Sequence, residues 1–232
     1  MLILRFVMIN VYVLEPLVKH LYTIIMLHGM YSDYKSLIIK AKKIQKSFKN
    51  MKIIIPNSPK RTIHWPNGIE RSVNAWYDYY TNMNGEMEHD DINIKQFNIQ
   101  TKRIIKIINK EKALVGENRI ILYGVSQGGT ICFNIFLKNY IKVSCFIGIH
   151  TCLMDNIIDT KNLKKTLQYK YIYLFSGTND NIYLLKLQEK SVKHLYKNYV
   201  IKWYIEKNLK HCEYSKMEDK YIINCIKEYL NL

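Results

Sequence analysis

A serine stands between two glycines in Tyr123-Gly124-Val125-Ser126-Gln127-Gly128-Gly129, with the spacing Gly-x-Ser-x-Gly. Serine at this spacing can act as a nucleophile if the chain bends sharply enough to lift its hydroxyl clear of the backbone. A hydroxyl is a weak nucleophile at neutral pH, so it needs a histidine to take its proton and a carboxylate to hold that histidine in the right tautomer. The chemistry implied is acyl transfer, with an oxyanion held by backbone N–H groups. A dinucleotide-binding turn is the poorer reading, because that fingerprint requires glycine where Ser126 stands.

The acid should follow a later strand, and the base should follow the acid. Asp180 meets the first condition, in a polar turn after the apolar run Tyr171–Phe175; Asp155 and Asp159 come earlier, in a segment resembling a surface loop. Asp180 could also serve as a helix N-cap, a position aspartate favours. Of the seven histidines, His20, His28, His64, His89 and His150 precede Asp180. His194 follows it inside an amphipathic stretch, whereas His211 lies in the loop Lys207-Asn208-Leu209-Lys210-His211-Cys212-Glu213, beyond the next strand. His211 is therefore the candidate base. Oxyanion donors are expected at Gln127, directly after the nucleophile, and at Met30, in the loop closing Leu27-His28-Gly29-Met30. His28 then orients that loop. No two histidines stand at metal-ligand spacing near a carboxylate, so neither a metal nor another cofactor is expected.

The elements that must position these residues follow from apolar periodicity. Strands are expected at 22–27, 51–55, 119–123, 143–149, 171–175 and 199–205, and helices at 34–48, 92–112, 130–140, 182–196 and 216–230. The stretch 60–91 looks like a loop rich in Trp, Asn and Tyr. Alternating strands and helices imply an α/β fold, a mostly parallel sheet with helices on both faces, whose chemistry gathers at the carboxyl ends of the strands. Met1 to Leu14 is apolar apart from Arg5 and Asn10. It is too short to span a bilayer and has no clear cleavage site, which suggests an opening strand within 1–15 or a truer start near Met8.

The chain has 232 residues, 48% of them hydrophobic, consistent with one globular domain spanning 1–232 with its core at about 20–232. The formal net charge is +16. The lysines are dispersed, with modest clusters at 40–46 and 161–165, and no nucleic-acid module appears. Compositional bias accounts for such a charge; the functional alternative is weak contact with anionic membranes. The five cysteines show no Cys-x-x-Cys spacing, and Cys132 and Cys145 sit in apolar runs as small core residues. A reducing, cytoplasmic setting is expected. The sequence leaves oligomeric state open.

The motifs Leu27-His28-Gly29, Pro56-Asn57-Ser58-Pro59, Asn74-Ala75-Trp76-Tyr77-Asp78, Gly124-Val125-Ser126-Gln127-Gly128-Gly129 and Gly177-x-x-Asp180 occur in an order that resembles the phospholipase/carboxylesterase family. That family includes the acyl-protein thioesterases. The resemblance runs from about Tyr22 to the C-terminus. It implies an α/β-hydrolase fold, a triad of Ser126, Asp180 and His211, and an oxyanion hole from Met30 and Gln127. It further implies esterase or thioesterase activity on acyl substrates, among them lipidated proteins and lysophospholipids. The loop 60–80 would shape the substrate groove, with Trp76, Tyr77 and His150 as substrate-contacting candidates. Three positions depart from the family pattern: Asn181-Ile182-Tyr183 replaces a hydrophobic-Pro pair, Lys210 replaces the glycine before the histidine, and His150 stands where a serine often ends a strand. The competing functions are a carbohydrate-ester deacetylase or serine peptidase on the same fold, and a non-catalytic hydrolase-fold binding protein.

Overall fold

The computed structural model describes residues 11–65, 67–80, 91–138, 141–153, 170–193 and 195–232. His89, Asp155, Asp159 and His194 lie outside the described residues, as does the segment 1–10. In chain order the elements are β1 (Val11–Leu14), β2 (Tyr22–Leu27), α1 (Lys35–Ser47), β3 (Met51–Pro56), β4 (Lys60–Ile63), β5 (Glu70–Asn74), α2 (Ile94–Val115), β6 (Ile120–Val125), α3 (Ser126–Leu137), β7 (Cys145–Ile149), β8 (Tyr171–Asn179), α4 (Leu185–Val192), β9 (Val200–Lys210) and α5 (Lys216–Leu230), with a short 3₁₀ turn before β6.

Among the described residues, seven strands form one sheet in the order β1-β3-β2-β6-β7-β8-β9. From β3 to β9 every neighbouring pair is parallel, and only β1 runs antiparallel, on the edge beside β3. The opening strand expected within 1–15 is thus described at Val11–Leu14. Parallel strands buried on both faces need apolar side chains at successive positions, and the central strands supply them. In β2, Ile25 and Leu27 join one core layer while Ile24 and Met26 join the other; in β6, Ile120 and Leu122 divide from Ile121 and Tyr123 in the same way. Helices α2, α3 and α4 cover the first layer, and α1 and α5 the second. The fold is the α/β-hydrolase type. Among the described residues no helix is long and apolar enough to cross a membrane.

Several boundaries differ from those read off the sequence. The stretch 60–91 contains a two-stranded antiparallel hairpin, β4 with β5. Its strands are short and carry charged residues, so neither shows a clear apolar alternation. Helix α3 begins at Ser126, not near Thr130, because the serine that ends the turn also begins the helix. Helix α4 spans only Leu185–Val192, since Leu184 before it is extended. Strands β8 and β9 run on to Asn179 and Lys210, past the apolar runs, because they keep pairing with each other through polar positions around a register shift. The candidate acid and base, Asp180 and His211, are each the first residue after one of these two long strands.

The crossing of β6 by α3 depends on bare backbone. A methyl on Gly124 would lie 2.5 Å from the Cα of Gly129 and 2.7 Å from the carbonyl oxygen of Gly128. A methyl on Gly128 would lie 2.4 Å from the carbonyl oxygen of His28, in the loop after β2. These contacts are with backbone, which cannot swing aside as a side chain can. Gly124→Ala is therefore expected to destabilise the fold by about 3 kcal/mol, as overpacking of a rigid site does. Urea denaturation measures it, and a loss well under about 1 kcal/mol would show that the turn has slack.

Candidate active site

Ser126 lies at the carboxyl end of β6 with a backbone φ of +49°. A non-glycine residue in this region is strained, and such strain persists only where the surrounding packing enforces it. Here the enforcement comes from the glycine contacts just described and from Thr151, whose hydroxyl donates to the Ser126 carbonyl at 2.9 Å. The bend leaves the side chain next to the loop after β2: a methyl on Gly29 would sit 3.4 Å from Ser126 Cβ and 3.9 Å from its Oγ. Met30 follows in that loop, so the two expected oxyanion donors, Met30 and Gln127, belong to backbone flanking the serine.

His211 Nε2 lies 2.9 Å from Ser126 Oγ. On its other side, Nδ1 is 2.9 Å from each oxygen of the Asp180 carboxylate. With Nδ1–H donating to Asp180, Nε2 carries the lone pair that faces the serine. Asp180 itself is almost wholly buried and accepts several further hydrogen bonds. The backbone N–H groups of Ile182 and Tyr183 donate to Oδ1 at 3.0 and 2.9 Å, and Gln188 Nε2 reaches Oδ2 at 3.4 Å. His150 Nδ1 lies 3.1 Å from the same Oδ2. Burial alone would raise the carboxyl pKa, but hydrogen bonds from His150 and His211, with the charge on His211, hold it down at about 2. Burial would likewise lower the pKa of His211. The Cys212 sulfur beside it and the Asp180 carboxylate outweigh that effect and raise it.

The loops around the serine are wired to one another through side chains. His28 Nδ1 donates to the Gly29 carbonyl at 2.7 Å, and its Nε2 accepts from Ser58 N–H at 3.1 Å, which fixes the neutral tautomer. Burial lowers the pKa of this imidazole, in keeping with that role. The Trp76 indole N–H donates to the His28 carbonyl, and the Gln127 side chain accepts from Trp76 N–H, both at 2.7 Å. Gln127 Nε2 donates to the Tyr77 carbonyl at 2.8 Å. A buried row of hydroxyls runs from Thr130 through Tyr77 and Tyr79 to Tyr183, whose ring packs edge-on against His211.

Of the residues expected to touch substrate, Trp76, Tyr77 and His150 are each completely buried. Their polar atoms are turned inward onto Gln127, His28, Thr130 and Asp180, so they brace the site from behind. The family resemblance implies substrate contact for these three; the structure shows the protein groups they contact. Aromatic and histidine residues in a loop give no sign in sequence of which way they face. The sequence gives no sign of the parts played by Thr151 and Gln188, and Tyr183 stands out in it only as part of a departure from the family pattern after Asp180. Gln188 shows only as an amide on the buried face of an amphipathic helix. Donor atoms of His150, Asp180 and His211 lie within 4.8 Å of one another. A cation there would have to displace both Nδ1 protons that already bridge to the carboxylate, so the cluster fits hydrogen bonding better than metal ligation.

Residues 9–231 match the phospholipase/carboxylesterase family. The chain belongs to that family. It is a hydrolase of the carboxylesterase type. Acyl-protein thioesterase 1 of Schizosaccharomyces pombe is 26% identical over 195 residues, covering 84% of each chain. Its counterpart from Cryptococcus neoformans var. neoformans serotype D is 26% identical over 185 residues, covering 78% of this chain and 76% of that one. Among solved structures, Arabidopsis thaliana SOBER1 superposes with a TM-score of 0.76 at 18% identity, over 90% of this chain and 99% of that one. Zea mays acyl-protein thioesterase 2 gives 0.73 at 19% identity, over 95% and 99%. At these identities the structural likeness speaks for the fold alone.

The raised proton affinity of His211 has a kinetic consequence. As the candidate base, His211 must be unprotonated to accept the serine proton, so activity is expected to rise as pH climbs through its pKa. The acid limb of kcat/KM is expected to have its midpoint above 6.5, the ordinary histidine value. Asp180→Asn should move that midpoint down in the residual activity, since the carboxylate is among the groups that raise it. A pH–rate profile of both proteins measures the shift.

Proposed function

We propose that this protein hydrolyses carboxylic ester or thioester bonds of acyl substrates through a triad of Ser126, His211 and Asp180. The observation that carries the reading is the unbroken chain from Ser126 Oγ to His211 Nε2 at 2.9 Å and from His211 Nδ1 to Asp180 at 2.9 Å. In the first half-reaction Ser126 Oγ attacks the acyl carbonyl carbon while His211 Nε2 takes the hydroxyl proton. The carbonyl oxygen becomes an oxyanion, held by the Met30 and Gln127 backbone N–H groups. Asp180 keeps Nδ1–H oriented and stabilises the imidazolium without itself accepting the proton. The tetrahedral centre collapses, the C–O or C–S bond breaks, and His211 returns the proton to the leaving alcohol or thiol. Water then enters at the same place and attacks the acyl carbon as His211 takes its proton; the bond to Ser126 Oγ breaks, His211 returns the proton to Oγ, and the carboxylic acid leaves. Acyl groups are the proposed substrate class because family membership and the thioesterase relatives both point there.

A non-catalytic member of the fold would have no need to keep all three groups in hydrogen-bonded register, and this register favours the enzyme. Ser126→Ala is expected to lower hydrolysis of p-nitrophenyl butyrate by ~10⁴–10⁶-fold while the fold persists, and His211→Ala by a comparable factor. Asp180→Asn should cost on the order of 10⁴-fold, through the wrong histidine tautomer. The parent should also be labelled by a fluorophosphonate probe and the Ser126→Ala variant should not. Activity of Ser126→Ala within about tenfold of the parent would rule out the serine mechanism. A chain-length series of p-nitrophenyl esters, run beside acetylated sugars and peptides, separates acyl substrates from those of a deacetylase or peptidase.

The +16 charge supports a secondary proposal, that the protein makes weak, salt-dependent contact with anionic membranes. Several lysines are spoken for inside the fold: Lys40 and Lys43 pair with acidic residues of α5, Lys52 with Glu111, and Lys112 and Lys142 with Glu117. Those left on the surface would each add about 1 kcal/mol near an anionic bilayer. Co-sedimentation with phosphatidylserine vesicles should show pelleting at low salt that disappears at high salt. No pelleting at low salt would leave the charge as a compositional trait.

A further inference from the structure

Two histidines share the Asp180 carboxylate, and the mechanism above uses only one. The second, His150, is the first residue after β7. It is completely buried, has a backbone φ of +47°, and its backbone N–H donates to the Phe175 carbonyl of the neighbouring strand at 2.8 Å. Its Nδ1 faces Asp180 Oδ2 at 3.1 Å, while its Nε2 is buried with no hydrogen-bond partner among the described residues. Its ring stands edge-on to that of His211, with centroids 5.7 Å apart.

These facts determine which proton His150 carries. A charged imidazolium would leave Nε2–H as a buried donor with no acceptor, beside a histidine that becomes cationic during turnover; both are costly. A neutral ring protonated at Nε2 would have the same orphaned donor, and would also turn the Nδ1 lone pair against a carboxylate. A neutral ring protonated at Nδ1 donates to Asp180 and leaves only a lone pair unmatched, the cheapest of the three.

We propose that His150 is a positioning residue: its Nδ1–H pins Oδ2 of Asp180, so that the carboxylate presents a fixed face to His211. The proposal rests on the triad reading. The bond has two effects. It restrains rotation of the carboxylate, whose Oδ1 is held by the N–H groups of Ile182 and Tyr183. It also draws negative charge away from His211, which keeps the imidazolium from being over-stabilised. The titratable groups facing this cluster are His211 and Cys212 after β9, Tyr183 before α4 with Tyr79, Tyr77 and Cys152 behind it, and Ser126 at the start of α3. Among them only His150 and His211 donate a ring N–H to Asp180. Without the donation of His150, the carboxylate charge falls more fully on His211, and the acid limb of kcat/KM moves to higher pH.

Two variants separate donation from bulk. Asparagine places a side-chain N–H where the histidine Nδ1–H sits and tolerates positive φ, so His150→Asn keeps the donor. His150→Leu removes it. For His150→Leu, kcat is expected to fall about tenfold while KM stays within about twofold, since a buried side chain behind the acid acts on orientation and not on substrate binding. Its acid limb should rise by roughly half a pH unit, the sign expected when a carboxylate loses a competing donor. His150→Asn should restore the parent's acid limb and most of kcat.

In the unmodified protein, long-range ¹H–¹⁵N correlation of labelled histidines should show His150 as the neutral Nδ1–H tautomer, assigned by its disappearance in His150→Asn. An Nε2–H tautomer or a cation would overturn the proposal. So would a parental pH profile in His150→Leu, a change confined to KM, or a His150→Asn protein whose acid limb is displaced. If His150→Leu does not fold, the tautomer and the His150→Asn profile decide. If Ser126→Ala keeps its activity, the triad reading fails, whatever the tautomer of His150 proves to be.

Discussion

The strand-to-helix turn at Ser126 is the constraint on which the rest depends. The fold holds a non-glycine residue at φ +49° by closing backbone onto backbone: Gly124 against Gly129, and Gly128 against the end of β2. No side chain larger than hydrogen fits at those positions without a shift. Thr151 completes the clamp from the end of β7. A small loss at any of these contacts would let the serine relax toward an ordinary helical φ and carry its hydroxyl away from His211. The stability invested in packing the turn therefore serves geometry, a common arrangement where strain sits at a functional site.

Asp180 is the second fixed point. A buried carboxylate is costly unless its lone pairs are used, and here they are used by two imidazoles, two backbone N–H groups and an amide. This set of donors keeps the group ionised and immobile inside an apolar sheet edge. It also couples three separate strand ends, since His150 follows β7, Asp180 follows β8 and His211 follows β9. Three adjacent parallel strands thereby converge on one carboxylate. That convergence is possible because parallel strands deliver all their carboxyl ends to the same edge of the sheet.

The phospholipase/carboxylesterase signature beyond the elbow has a physical explanation in the same structure. Asn74 to Asp78, His28 and Asn57 to Pro59 are distant in sequence but form one hydrogen-bonded frame around Gln127. The frame holds the loop that carries Met30 against Ser126. His150 introduces a buried imidazole into that region, and Asp180 accommodates it through one more hydrogen bond.

The elbow, the parallel sheet and the order of the candidate acid and base were legible in the sequence because each rests on a local rule. Glycines flank a strained serine, apolar runs alternate with amphipathic ones, and strand ends collect polar residues. Asp180 and His211 could be chosen as candidates by order together with their positions after strands. What the sequence could not determine was direction and reach. Trp76, Tyr77 and His150 were polar or aromatic residues near the expected site, and only tertiary packing turned them inward as braces. The extension of β8 and β9 to Asn179 and Lys210 was equally hidden, because those residues pair with each other through backbone, to which side-chain hydropathy is blind. Local chemistry wrote the reactive groups into the chain; the distances among them exist only because the sheet brings five strand ends to one edge.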